Sequence, residues 1–302
     1  MRTFHLVFTA LLGLALTAGT AHAQDPPSTD LWLVPLPASL DPFTPSDATN
    51  LTDRDGYDNQ PMFLSDGSGL LYTSFQDGQT DIYHYDLAAQ VATPVTRTPE
   101  SEYSATPYGD ASRFSVIRVE ADGTQRLWSF DRDGQTPQLV LEDVAPVGYH
   151  AWSTDRTLGL FVLGEPPTFQ VADATTGQSV VHAGNIGRSL HRIPGTDHIS
   201  FAQRTDDAWQ LMRYVPTDNR VDTLTAPAGP APHPQRSAAM DYAWHPSGAV
   251  LTVYDGVLYA WTEGSWEALA DLSAVGLTDV TRLTVHPEGR ALVVVAARNA
   301  AP

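Results

Sequence analysis

The chain has 302 residues, a formal net charge of −18 and no cysteine, and all 17 of its basic residues are arginine. Disulfides, thiolate metal ligation and a lipid-modified cysteine are thereby excluded. A surface this acidic repels phosphate backbones and anionic lipid, so nucleic acid and membrane surfaces are poor partners.

The first segment is an address. Met1 to His5 is a short, weakly basic start, an apolar run covers Leu6 to Ala18, and Ala21-His22-Ala23 has the small-residue spacing of a cleavage site. Residues 1–23 therefore read as a secretory signal peptide, removed after Ala23. The run is about 13 residues, short of the ~20 needed to span a bilayer. The expected product is a periplasmic or secreted protein without a membrane anchor, with residues 24–302 forming one domain.

After the Pro-containing linker at Asp25-Pro26-Pro27, Thr29 to Leu36 reads as a strand and Ala48 to Thr52 as a short outer strand, neither preceded by an inner hairpin. A repeat then begins. Ser65-Asp66-Gly67-Ser68 leads into Leu70 to Ser74, and Gly109-Asp110-Ala111-Ser112 into Arg113 to Ile117. Ser153-Thr154-Asp155 precedes Leu158 to Leu163, and Pro194-Gly195-Thr196-Asp197 precedes Ile199 to Phe201. His245-Pro246-Ser247-Gly248 precedes Val250 to Tyr254, and His286-Pro287-Glu288-Gly289 precedes Ala291 to Val295.

Six such copies, roughly 41 to 51 residues apart, fall in the window of propeller blades with four strands each. The runs are short, alternating and rich in Val, Tyr, Phe, Trp and Thr, so their period is that of strands rather than helices. Asp77-Gly78 and Asp122-Gly123 mark tight hairpins between the second and third strands, because glycine accepts positive φ. Outer strands are expected to end near Thr52, Thr96, Leu141 and Thr225. The Pro-rich stretch from Ala226 to Pro234 reads as a long loop between the fourth and fifth blades, since proline removes the ladder donor.

Closure follows from what each end lacks. Thr281 to His286 and Arg290 to Val295 supply two strands at the end, and Thr29 to Leu36 with Ala48 to Thr52 supply two at the start. Together they complete a sixth blade and remove exposed sheet edges. The expected fold is an all-β, six-bladed propeller of four-stranded antiparallel blades.

Gln60-Pro61-Met62-Phe63-Leu64-Ser65-Asp66-Gly67-Ser68-Gly69 through Ser74, followed by Asp81-Ile82-Tyr83-His84-Tyr85-Asp86, resembles the Pro-x-Trp-Ser-Pro-Asp-Gly repeat of TolB-type six-bladed propellers. The resemblance spans essentially the mature chain, strongest in the first two blades and weakest in the third and fourth. It implies a periplasmic interaction module. TolB proteins carry a separate N-terminal α/β domain, whereas here the leader runs almost straight into a strand, which puts a Tol-system role in doubt.

Chemistry is less legible than architecture. No G-x-S-x-G elbow and no Gly-rich phosphate loop is present. The segments at the entry of each innermost strand should ring the central channel, and they hold Asp58, Asn59, Glu102, Tyr103, Tyr149, His150, Arg188, His191, Asp241 and Arg282. These ten residues are the expected ligand-binding set. Arg188 and Arg282 favour a ligand that presents carboxylates, which arginine grips bidentately. The expectation is a non-enzymatic binding or scaffolding module, monomeric, with no cofactor and no metal, whose partner is an envelope protein or a small ligand. The alternative is a divalent-metal, lactonase-like hydrolase using Asp58, Asn59, Glu102 and Asp241, since oxygen ligands suit a hard cation.

Other polar residues read as scaffold. His245 and His286 occupy one position in two repeats and suggest a turn role, as do the turn acids Asp66 and Asp110. Asn50-Leu51-Thr52 is formally a glycosylation sequon but sits at a repeated strand end. Trp261 and Trp266 flank a hairpin and suit cross-strand packing or an aromatic patch.

Overall fold

The structure, a computed structural model, describes residues 26–297 apart from Asp110, Asp207, Pro227, Pro230, Ala231 and Glu263. The signal peptide expected over 1–23 and the turn acid Asp110 lie outside the described residues. Six four-stranded antiparallel sheets are arranged as six blades.

In chain order, β1 (Thr29–Pro35) and β2 (Thr49–Asn50) come first, then blade one from β3 (Asp58–Phe63), β4 (Gly69–Gln76), β5 (Gln79–Asp86) and β6 (Val91–Pro94). Blade two holds β7 (Ser101–Tyr108), β8 (Arg113–Val119), β9 (Gln125–Asp131) and β10 (Gln138–Leu139). Blade three holds β11 (Val147–Trp152), β12 (Thr157–Val162), β13 (Thr168–Asp173) and β14 (Ser179–Gly184). Blade four holds β15 (Ile186–Arg192), β16 (Ile199–Thr205), β17 (Ala208–Val215) and β18 (Arg220–Thr223). Blade five holds β19 (Tyr242–Trp244), β20 (Val250–Tyr254), β21 (Val257–Thr262) and β22 (Ser265–Asp271), and β23 (Arg282–Val285) and β24 (Ala291–Ala297) end the chain's described part.

The closing blade is ordered β2-β1-β24-β23. Trp32 faces Val294 and Val34 faces Leu292 across an antiparallel ladder that runs from Thr29 opposite Ala297 to Pro35 opposite Ala291. The two ends of the chain therefore share one sheet, as the sequence implies. The six apolar runs are the second strands of their blades, which explains their near-unbroken hydrophobicity: β4 is buried from Gly69 to Ser74 and β24 from Ala291 to Ala296, because a second strand has neighbouring blades on both faces.

The core is divided accordingly. Each of six apolar clusters bridges two adjacent blades. Leu31, Tyr72 and Val293 join the closing blade to blade one, and Phe169 stacks on Phe201 at 4.2 Å between blades three and four. Burying each such side chain stabilises the fold by about 1.5–3 kcal/mol.

Polar links repeat both within and between blades. The hydroxyl of Thr52, Thr96 or Thr225, just past an outer strand, accepts from the third-strand amide of Leu31, Ile82 or Leu211 at 3.1, 2.8 and 3.0 Å. At the turn preceding a second strand, the ring of His245 reaches the carbonyl of Gly289 and that of His286 reaches the carbonyl of Gly67, both at 3.2 Å. Each ring also accepts from its own turn, from the amides of Ser247 and Glu288. The two histidines thus serve as turn residues and as ties to the next blade. Asp66 accepts from the Ser68 amide at 2.9 Å, and the Asn50 side chain is engaged by Asp30 and by the Thr52 amide.

Candidate functional site

The innermost strands are irregular where they line the channel. Register shifts fall between Asn59 and Met62, between Tyr103 and Thr106, between Val147 and Tyr149, and between Ile186 and Leu190. A bulge bends its strand and re-aims the side chains beside it. Gln60 and Ser104 both take φ of 55° at these points. The Gln60 carboxamide oxygen accepts from the Thr73 hydroxyl and from the Ser104 amide, each at 2.8 Å, and so links the bulged strands of blades one and two.

A cavity of about 80 Å³ lies in the channel, lined by residues that include Gln60, Tyr149, Arg188, Asp241 and Arg282. Arg188 donates from Nε and Nη2 to both oxygens of Asp241, the shortest contact being 2.7 Å, and from Nη2 to the Thr281 carbonyl at 3.0 Å. Burial disfavours the Arg188 charge, yet Asp241 outweighs it and the guanidinium is held above its ordinary value. Arg282 donates from Nη2 to the Tyr149 phenol at 2.7 Å and lies 4.9 Å from that ring's centroid. Its Nη1 is 3.8 Å from Asp241, an ion pair without a hydrogen bond. Two guanidinium groups thus share one carboxylate. Tyr57, one residue before β3, faces the same group: burial pushes its phenol up to about 12, while Arg282 and Arg188 pull the other way.

Four of the ten sequence-derived candidates, Tyr149, Arg188, Asp241 and Arg282, are brought into direct contact. Tyr103 belongs to the surrounding set of phenols whose charges bear on Tyr57. The rest are engaged elsewhere. Asp58 is fully buried and takes the Arg54 guanidinium at 2.7 Å; burial still raises its carboxyl, and it does not line the cavity. Asn59 accepts from the adjacent Gln60 amide. Glu102, also fully buried, is held by Arg118 at 3.1 Å and by the Thr98 hydroxyl, and burial pushes it up to about 6. His150, buried, and His191, half-buried, touch the cavity, and desolvation pushes them down to about 3 and about 4. His150 Nε2 lies 2.6 Å from the Ser115 hydroxyl, which also accepts from Trp152. Asp58 and Glu102 are therefore each drawn to an arginine of their own and Asp241 to two, and among the described residues no three His, Asp or Glu side chains converge as metal ligands.

Two further pockets adjoin. One of about 520 Å³ shares Arg188, Asp241, Arg282 and Leu283 with the channel cavity and extends over blades five and six. Another of about 340 Å³ shares His150, Leu190 and His191 with it and includes Trp152 and Trp244. Trp261 and Trp266 face each other across the β21–β22 hairpin, and Trp266 donates to Gln235 at 3.0 Å, so their main use is packing.

No protein-family model and no curated protein matches the chain. Among solved structures it is similar to a TolB-type protein from Agrobacterium tumefaciens, with 14% identity over 91% of this chain and 100% of that one at a TM-score of 0.67. The fold is the TolB-type six-bladed propeller. TolB from Acinetobacter baumannii is similar at 11% identity and a TM-score of 0.57, covering 90% of this chain and 64% of the longer TolB chain. Oligogalacturonate lyase in complex with manganese is similar at 17% identity and a TM-score of 0.52, over 77% of this chain and 69% of that one. The architecture thus occurs both in proteins named TolB and in a protein named as a lyase. Among the described residues no helix is long and apolar enough to cross a membrane.

Proposed function

We propose that this protein is an exported, non-enzymatic binding module of the bacterial cell envelope that takes a carboxylate-bearing ligand, on an envelope protein or a small molecule, at the channel mouth. One observation carries the reading: Asp241 satisfies Arg188 bidentately and leaves Arg282 with an ion pair but no carboxylate hydrogen bond. A guanidinium has five N–H donors, and Arg282 uses one of them on Tyr149. A second carboxylate would complete the group, in a local excess of positive charge on a chain of net charge −18. The protein's overall acidity slows such a ligand's approach, so the recognition is local.

The test is calorimetric titration with a short acetylated peptide bearing a free carboxyl terminus, and with the same peptide amidated. The free acid should bind, the amide should bind at least tenfold more weakly, and Arg282→Ala should weaken the acid similarly while its unfolding midpoint stays near that of the parent. Equal affinity of parent and variant refutes the placement.

A divalent-metal hydrolase built on Asp58, Asn59, Glu102 and Asp241 draws less support, because the three carboxylates already have arginine partners. An ion retained through purification and required for lactone hydrolysis would favour that alternative instead.

A further inference from the structure

The channel cavity of about 80 Å³ is far below the roughly 300–1,000 Å³ of pockets that enclose a whole small organic ligand. It accepts a carboxylate but not the molecule that carries one. The body of a ligand anchored on Arg282 must lie outside, and the pocket of about 520 Å³ that shares Arg188, Asp241 and Arg282 is of the size that holds a small organic ligand. That pocket extends over the turns of blade five and the closing blade. It is also lined by Asp255, in the β20–β21 hairpin, and Asp279, in the loop before β23.

Both aspartates are exposed, and neither is paired with an arginine or histidine among the described residues. One pocket therefore combines guanidinium donors with two uncompensated carboxylates. Complementary charge is what such a surface selects for.

We infer that the ligand is dipolar: a short peptide whose free terminal carboxylate meets Arg282 and whose basic side chain meets Asp255 and Asp279. The inference rests on the carboxylate reading above and adds the cationic group and the direction in which the ligand leans. A purely acidic ligand would be repelled by the same two aspartates, so they act as a filter as well as a contact.

Three probes separate the two layers: N-acetyl-Gly-Gly-Lys as free acid, its carboxamide, and N-acetyl-Gly-Gly-norleucine as free acid. Each is titrated calorimetrically at low ionic strength into the parent protein and into Asp255→Asn/Asp279→Asn. Both aspartates have φ of 52°, a left-handed conformation that asparagine also tolerates, so the variant keeps its turns; an unchanged unfolding midpoint verifies this.

The lysine acid should bind three- to tenfold more tightly than the norleucine acid, and the ratio should fall to about one in the variant. Equal binding of the two acids by the parent overturns the dipolar inference and leaves the carboxylate reading standing. A ratio that persists in the variant overturns the role of Asp255 and Asp279. If neither acid binds, or the carboxamide binds as tightly as the acid, the carboxylate reading fails and the inference fails with it.

Discussion

The imidazole of His245 lies 3.2 Å from the carbonyl oxygen of Gly289, 44 residues later and one blade further round. His286 repeats the contact with Gly67 across the closing seam. In both cases the ring occupies the space a Cβ on the glycine would need, and the glycine has positive φ, 74° at Gly289 and 68° at Gly67. Gly67→Ala and Gly289→Ala should each cost about 2–4 kcal/mol, from backbone strain plus displacement of the histidine. Gly248, at φ 92° with open space around it, is the control and should cost only about 1–2 kcal/mol. Urea unfolding of the three variants measures the difference, and equal losses would show that the histidine contact adds nothing.

Thr96 is fully buried, and its hydroxyl is the acceptor for the Ile82 amide. Thr96→Val keeps the shape and strands that donor, so a loss of about 1–3 kcal/mol is expected. Leu141, at the corresponding place in blade two, manages without a hydroxyl, and Leu141→Val should cost about 1 kcal/mol through lost packing alone. The comparison uses the same denaturation curves.

Desolvation pushes His150 and His191 down to about 3 and about 4, below the ordinary 6.5. Below pH 6.5 the unfolded chain takes up protons that the folded chain refuses. Their contribution to stability is therefore complete above about pH 6.5 and declines as pH falls toward the folded values, by about 1.4 kcal/mol per pH unit for each. Glu102 acts in the opposite sense: raised from 4.5 to about 6, it keeps its proton in the folded state where the unfolded chain has lost it, so it favours folding more as pH falls through that window. Two histidines outweigh one glutamate. In His150→Gln the fall in stability between pH 6 and pH 4.5 should be shallower by about 1.4 kcal/mol per pH unit, and parallel curves for parent and variant would contradict the burial assigned to His150.

Asp241→Asn removes the carboxylate shared by Arg188 and Arg282. Acidic ligands should then bind about fivefold more tightly at low salt, the equivalent of about 1 kcal/mol for a unit charge at about 4 Å in water, and the advantage should shrink in high salt. Weaker binding at every ionic strength would mean that Asp241 supports the ligand rather than competing with it.

The fold could be read from the chain because its signals are local and repeated. Asp77 and Gly78, at φ 52° and 89°, specify a hairpin wherever they occur, and the missing half-blade at each end leaves one way to close. The site was legible only in part. Strand entry singles out Tyr149, Arg188, Asp241 and Arg282, which the fold brings into contact around one cavity. Asp58 and Glu102 occupy the same kind of position but are drawn to Arg54 and Arg118, and nothing in the spacing of an acid tells which cation will claim it. Arg118, in a second strand otherwise made of apolar residues and a serine between Phe114 and Val119, was the available sign that a buried acid lay opposite. Tyr57 was overlooked because it stands one residue outside its strand.

In the ladder that closes the ring, Thr29 is opposite Ala297, so the outward-leading ends of β1 and β24 leave the sheet side by side. Tension applied between them would load the rungs in succession, peeling the seam from Thr29 toward Pro35 instead of shearing all seven pairs together. A ring held by six apolar interfaces would, under a pull at this one point, open like a zip fastener.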